Sequence, residues 1–177
     1  MFGQKRIPSR EGGVEIVVEE LCTRMVAQGH NVTCYNRGGH HVSGSEFDSK
    51  RRKEYKGIRL KTVPTIEKKG LAAVSSSFFA ALCCAFGKYD IVHIHAEGPA
   101  FFAWIPKLLG KKSDCHNTWF WIGSVKKWKA GFGAKFIRQG ERNAVKYADE
   151  IIVLSKRCTG LLRENIWKKK QCLFRMG

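Results

Sequence analysis

Acidic residues are scarce in this chain of 177 residues, which has 15 aspartates and glutamates against 32 lysines and arginines. The resulting formal net charge of +17 predicts attraction to phosphate groups. Those phosphates could belong to nucleic acid, to anionic lipid or to a nucleotide substrate, and the charge by itself does not choose among the three.

The chain also lacks the cysteine spacing of a zinc site and a hydrophobic segment able to span a bilayer. Its seven cysteines include no C-x-x-C pair, which predicts reduced thiols. The apolar stretch from Leu71 to Phe86 holds three serines and is too short for a transmembrane helix. No signal peptide precedes the first pattern, so we expect an intracellular, cytoplasmic protein.

Strand and helix patterns alternate along the sequence. Apolar residues recur at helical spacing from Val14 until Gly29, and again from Leu71 to Phe86. Further helices are predicted over 98–110, opened by Pro99, and over 132–148. Strands are predicted over 30–37, 57–66, 89–95 and 149–155. This order predicts an α/β fold with a doubly wound, mostly parallel Rossmann-like sheet, and the length suits one domain.

Ligands of such sheets bind beyond the carboxyl ends of the strands, so two loops are candidate sites. The first is "KRIPSREGG", whose two glycines open the approach to a helix N-terminus that suits phosphate. The second is "HIHAEGP", which follows a buried strand. The candidate residues are Lys5, Arg6, Ser9, Arg10, Glu11, Gly12 and Gly13 in the first loop, and His95 and Glu97 in the second.

Simpler interpretations stay open for each of these features. Two glycines before a helix are more often only a turn, and no complete G-x-G-x-x-G is present. His93 alternates onto the same side of its strand as His95, which predicts that at least one of them is a packed histidine. The basic run "SKRRKEYK" is of the kind that usually forms a solvated loop.

Five segments together resemble the N-terminal, acceptor-side domain of bacterial family-four retaining glycosyltransferases. They are "KRIPSREGGVEIVVEEL", "GHNVTCYNRGGHHVSG", "YKGIRLKTVPTI", "YDIVHIHAEGPAFFAWIPKLLGKK" and "FIRQGERNAVKYADEIIVLSK". The likeness covers residues 2–112 and about 127–156. It implies one half of a GT-B fold, in which Gly12 and Gly13 face the donor diphosphate across a cleft and His95 and Glu97 line the acceptor side.

Two segments depart from that family's pattern. After Lys112 the family has a buried strand of the type "VVTVHGLDWQR", where this chain has "SDCHNTWFWIGSV"; residues 157–177 diverge similarly. Permitted codons for Ser113 to Trp119, read one base later, encode "LIVTTHG", and those from Lys156 onward encode "NGVQDYF". We therefore expect frame-shifted translation in 113–126 and 157–177, with a glycosyltransferase domain over 1–156. The family also implies a longer first strand, so Met1 is expected to be an internal methionine.

The sequence therefore predicts the N-terminal half of a glycosyltransferase acting in polysaccharide biosynthesis. Intact relatives would transfer a sugar from a nucleotide-diphosphate donor to a saccharide or lipid-linked acceptor, with retention. We expect no metal and no cofactor besides the donor, and peripheral contact with an anionic membrane face. Because the C-terminal domain is missing, this chain by itself is expected to be inactive. The alternatives are a non-catalytic gene remnant and a basic nucleic-acid-binding module, although no nucleic-acid-binding motif is present.

Overall fold

The computed structural model describes residues 1–9, 12–39, 53–68, 70–117, 132–153 and 171–173. Arg10, Glu11, the first half of the basic run and most of the segments with divergent sequence lie outside these ranges. The chain forms two compact units: an N-terminal unit, Met1–Ala80, and a C-terminal unit, Ala81–Gly177.

The N-terminal unit holds one helix against a small sheet. Helix α1 (Gly13–Ala27) leads to strand β1 (Thr33–Arg37), followed by β2 (Glu54–Tyr55) and β3 (Ile58–Val63), with strand order β1-β3-β2. β1 and β3 are parallel, and β2 is antiparallel to β3. The bounds of α1, β1 and β3 confirm the predicted helix and strands, whereas β2, within the run predicted as a solvated loop, was not predicted. Strand β3 ends immediately before Pro64, which lacks the amide hydrogen that would continue the ladder.

The core of this unit lies between α1 and the sheet. β3 alternates, with Ile58 and Leu60 buried and Arg59 and Lys61 exposed, as expected for a strand covered on one face. Each fully buried aliphatic side chain contributes about 1.5–3 kcal/mol to folding. The buried apolar cluster comprises Ile7, Val18, Cys22, Val32, Cys34, Ile58 and Leu60.

The first residues run beside β1 in the same direction. The Met1 nitrogen donates to Thr33 O at 2.7 Å, and the amide of Tyr35 donates to Met1 O at 2.9 Å. Farther along, the amide of Arg37 donates to Lys5 O at 2.7 Å. Residues 1–5 therefore lie where the end of a preceding parallel strand would lie, at the other edge of β1 from β3.

Helix α2 (Leu71–Phe86) has the predicted bounds, but the prediction that it is a buried helix was wrong for its largest side chains. Phe86 is 80% exposed and Leu71 is 44% exposed. The buried face instead carries small residues, including Ser75, Ser76 and Ser77. Their hydroxyls donate to helix carbonyls one turn earlier, Ser77 to Ala73 O at 2.6 Å for example, which removes the cost of burying them.

The C-terminal unit contains a parallel sheet and three helices among its described residues. Strands β4 (Ile91–His95), β5 (Lys112–Asn117), β6 (Glu150–Val153) and β7 (Gln171–Leu173) are ordered β4-β5-β6-β7, and each neighbouring pair is parallel. Helix α5 (Phe132–Tyr147) precedes β6. The predicted mostly parallel α/β architecture is confirmed, and β5 lies between two strands although its sequence, KSDCHN, is polar.

The predicted helix over 98–110 is broken in two. The structure has α3 (Glu97–Ala100) and α4 (Trp104–Leu108), joined by tighter turns in which Ala103 bonds to Ala100 O and Ile105 to Phe102 O, each at 3.0 Å. Pro106 explains the interruption, because it has no amide to donate to Phe102 O and its ring crowds that carbonyl.

Candidate functional site

The loop before α1 is held against the carboxyl end of β1. The Asn36 side chain bonds both main-chain groups of Ile7: Oδ1 accepts from the Ile7 amide at 3.1 Å, and Nδ2 donates to Ile7 O at 2.8 Å. Gln4 Nε2 donates to Tyr35 O at 3.2 Å. These buried bonds and the cis Ile7–Pro8 peptide define the path of the loop toward α1.

Glu15, in the first turn of α1, packs under the same loop. It is only 5% exposed, and its Oε1 accepts a bond from the Lys5 amide at 2.9 Å. A carboxylate here is favoured by the positive end of the helix dipole. A side chain added at Gly12 would collide with Glu15 Oε2, so Gly12 is the glycine that admits this carboxylate.

Gly13 faces open space. It is exposed, and a Cβ placed on it would have no heavy atom within 4 Å among the described residues. The N-cap residue Gly12 supplies no side-chain bond to the first amides of α1. A helix end of this kind suits an anion that approaches from the Gly13 side.

The predicted basic and polar residues of this loop differ in their exposure. Lys5 is exposed and Arg6 is partly buried. Ser9 is 2% exposed and lies inside the unit. Arg10 and Glu11 lie outside the described residues.

In the C-terminal unit, His93 and His95 are stacked on one side of β4. Their ring centroids are 4.4 Å apart with an interplanar angle of 6°, and they are 8% and 0% exposed. Both are thus packed histidines, which confirms the expectation for at least one of them. His95 lies beneath the carboxyl end of the strand rather than on its surface.

Glu97 follows β4 at a sharp change of chain direction. Ala96 has a φ of +74°, a left-handed conformation that is strained for a residue other than glycine. Glu97 then begins α3, partly buried. Burial and, to a lesser extent, the nearby carboxylate of Glu141 together raise the pKa of Glu97 to about 7. Glu97 is therefore protonated in a large share of molecules at neutral pH.

Helix α5 brings Glu141 to this site through a close helix crossing. A side chain at Gly140 would collide with the carbonyl oxygen of Glu97, so only glycine permits this approach. Asn143 Nδ2 donates to Phe101 O at 2.6 Å, and the Phe101 and Phe136 rings stack at 4.5 Å. Burial also raises the pKa of Glu141, opposed by Arg138.

Sequence reasoning missed four side chains of these two sites. Gln4, Glu15 and Asn36 fix the glycine loop, and Glu141 faces Glu97. Only Glu15 carried a local signal, since an acidic residue in the first turn of an amphipathic helix is commonly buried or capping. The others act through contacts between residues far apart in the sequence.

Two features are absent from the residues that the structure describes. These residues contain no group of three or more histidine, cysteine, aspartate or glutamate side chains arranged to hold a metal ion. None of the helices described is long and apolar enough to cross a membrane.

Comparison with known proteins identifies the fold and the family. The structure matches one half of a GT-B enzyme, a sucrose-phosphate synthase from Thermosynechococcus elongatus, with a TM-score of 0.68 at 18% sequence identity. The match covers 94% of this chain and 43% of that one, so the chain spans less than half of that enzyme's length. No curated protein matches the sequence. The family model of Glycosyltransferase Family 4 matches residues 11–170, and the chain therefore belongs to that family.

Proposed function

We propose that the chain is the acceptor-side half of a retaining glycosyltransferase whose donor is a nucleotide-diphosphate sugar and whose acceptor is a saccharide or a lipid-linked saccharide. The observation that carries this proposal is the open N-terminus of α1 at Gly13, at the carboxyl edge of a parallel sheet in a member of Glycosyltransferase Family 4. A leaving diphosphate is the kind of anion that such a helix end stabilises.

The charges around the loop suit a transient rather than a permanent anion. Lys5 and Arg6 attract a diphosphate toward Gly13, whereas the buried carboxylate of Glu15 on the Gly12 side repels it. In this proposal the diphosphate approaches only from the Gly13 side, and further positive charge comes from the C-terminal domain of the longer protein.

Glu97 is our candidate for contact with the acceptor. Its raised pKa gives it both a protonated form, which donates a hydrogen bond, and an ionised form, which accepts one. Near neutral pH it can therefore bind a saccharide hydroxyl in either direction. His95, which is fully buried, acts on this site only by supporting the turn that presents Glu97.

We place the enzyme in the cytoplasm at the inner face of a membrane, in polysaccharide biosynthesis. The net charge of +17 favours approach to a surface that carries anionic lipids. No nucleic acid and no metal take part in this proposal.

The test is Gly13→Val in the longer protein that includes the C-terminal domain. A branched side chain at Gly13 obstructs the approach to the amides of α1. The loss of transition-state stabilisation, calculated from kcat/KM, should be about 1–3 kcal/mol, with little change in folding. The measurement is release of nucleoside diphosphate from UDP-, GDP- and dTDP-sugars. Ile16→Val is the matched control, because Ile16 is 48% exposed one turn farther along α1. Equal rates for Gly13→Val and the control would show that the glycine serves only the turn.

A further inference from the structure

A small cavity opens in the N-terminal unit at the carboxyl end of β1. Its volume is about 10 Å³, which is room for one water-sized group. Its lining comes from residues 2–4, from β1, from the end of β3 and from the serine face of α2. The polar side chains among the lining residues include Gln4, Arg37, Ser76 and Ser77.

Two polar atoms at this cavity are buried without a hydrogen-bond partner among the described residues: Gln4 Oε1 and Arg37 Nε. Gln4 is 3% exposed, and its Nε2 is already used by Tyr35 O, so the atom left over is the acceptor. Burying such atoms without partners costs free energy, which a bound group of the right chemistry would recover.

The donor and acceptor pattern selects the chemistry of that group. Gln4 Oε1 needs a donor, and Arg37 Nε–H needs an acceptor. A carboxylate only accepts at neutral pH and would be repelled by Gln4 Oε1. A phosphate ion keeps one or two protons there, but its charged acceptor oxygens would still be repelled by Gln4 Oε1. A hydroxyl group does both at once. The hydroxyls of Ser76 and Ser77 donate to the helix carbonyls of Ala72 and Ala73, so their oxygens add further acceptor positions.

We propose that this cavity is a subsite for one hydroxyl group of the saccharide acceptor, which donates to Gln4 Oε1 and accepts from Arg37 Nε. A single water occupies the subsite when no acceptor is bound. The assignment of this hydroxyl to an acceptor rests on the proposed function. The position of the cavity agrees with binding of an acceptor, because Gln4 leads directly into the glycine loop and Arg37 ends β1. This is the edge where parallel sheets bind ligands.

The experiment follows the Nε–H resonance of Arg37 by ¹H–¹⁵N NMR in the 177-residue chain. The probes are the methyl glycosides of glucose, galactose, mannose and N-acetylglucosamine, with inorganic phosphate as the anion probe. We expect at least one glycoside to shift this resonance to saturation and phosphate not to do so. One monodeoxy derivative of that glycoside should bind about tenfold more weakly or worse, because it leaves both protein atoms unpaired.

Two variants separate recognition from folding. Arg37→Lys keeps the charge but loses the Nε–H, and Gln4→Met keeps the length but loses the acceptor; both should reduce glycoside binding by about tenfold. Binding in the Gln4→Met variant is read from the Arg37 resonance, and binding in Arg37→Lys from the Gln4 side-chain amide. Arg24→Lys is the control, since Arg24 lies exposed in α1. If Gln4→Met fails to fold, Arg37→Lys alone decides.

Three results would overturn the proposal. The first is that no glycoside shifts the Arg37 resonance, so that the cavity holds a structural water only. The others are that phosphate shifts the resonance as the glycosides do, or that every monodeoxy derivative binds as tightly as its parent glycoside. Because this experiment uses no donor, it can fail while the Gly13 experiment succeeds, and the reverse. If Gly13→Val abolishes turnover of the donor in the longer protein, the binding of glycosides to the Arg37 cavity is not affected by that result.

Discussion

Among single residues, Glu97 couples folding to pH. Its ordinary pKa is 4.5, and burial with Glu141 nearby raises the pKa to about 7 in the folded chain. Between these values the folded protein holds a proton that the unfolded chain has released. The free energy of unfolding therefore falls as pH rises from about 4.5 to about 7, and the stabilisation is complete only below the lower value.

Replacing Glu97 by Gln should flatten this part of the stability profile, because an amide does not titrate. The measurement is the urea midpoint across the pH window, with Glu54→Gln, an exposed glutamate of β2, as control. Glu141→Gln should lower the pKa of Glu97 without restoring its ordinary value, since burial remains the larger cause. The pKa of Glu97 in this variant is measured by ¹³C NMR. A pKa of Glu97 that does not change in Glu141→Gln would contradict the coupling between the two carboxyls.

The reduced thiols predicted from the sequence differ in reactivity. Cys22 and Cys34 are both fully buried, with their Sγ atoms 3.3 Å apart. The hydrogen bond to Cys34 and burial raise the pKa of the Cys22 thiol, whereas Cys83 is exposed. We expect iodoacetamide to modify Cys83 in the native protein and Cys22 and Cys34 only in guanidinium chloride, as read by peptide mass spectrometry. Equal native labelling of all three would show that the α1–β1 contact is open in solution.

At the level of secondary-structure elements, the crossing of α3 and α5 depends on Gly140. The Gly140→Ala variant forces a methyl group against the carbonyl oxygen of Glu97, and backbone cannot yield as a flexible side chain would. The expected loss is about 1–3 kcal/mol of unfolding free energy, despite the better helix propensity of alanine.

The matched control is Gly98→Ala on the facing helix. There the new methyl group meets Phe136 Cε1 at 3.8 Å, an ordinary van der Waals contact, so stability should hold or rise slightly. Urea denaturation of both variants measures the difference. A Gly140→Ala protein as stable as the control would mean that the two helices can separate at little cost.

At the scale of the whole molecule, the sequence of strand β5 does not suit its place in the sheet. β5 is paired on both sides, by β4 and β6, a position that parallel sheets usually fill with apolar residues. Its sequence is KSDCHN. We propose that 113–126 and 157–177 are translated in a shifted frame; Thr118 and Trp119, where the family histidine would be encoded, lie outside the described residues.

Replacing Ser113–Trp119 by "LIVTTHG" should stabilise the chain by several kcal/mol. Each large apolar side chain that becomes buried contributes about 1.5–3 kcal/mol, and a domain's whole net stability is about 5–15 kcal/mol. Thermal melts should be broad for the chain as it stands and sharp for the repaired chain. A permuted version of the same seven residues controls for composition. If the unrepaired chain melts cooperatively above about 50 °C, the shifted-frame proposal is wrong.

Local patterns were sufficient to predict much of the fold. Apolar spacing predicted α1 and α2, alternation predicted β3, and short apolar runs predicted β4 and β6, because these patterns depend on residues close in the sequence. The glycine loop was also visible as a motif, and with it the likeness to the family. The prediction of one helix over 98–110 was wrong, because Pro106 interrupts the helix and the structure has α3 and α4 instead.

Tertiary structure alone decided which of the candidate residues are accessible and what surrounds them. His95 is buried against His93, Glu15 rather than a ligand fills the space beside Gly12, and Glu141 raises the pKa of Glu97 from another helix. Gln4 and Arg37 meet at one cavity only because residues 1–5 run beside β1. Burial, pKa and unpaired atoms depend on neighbours distant in the sequence, and a pattern of nearby residues carries no information about such neighbours.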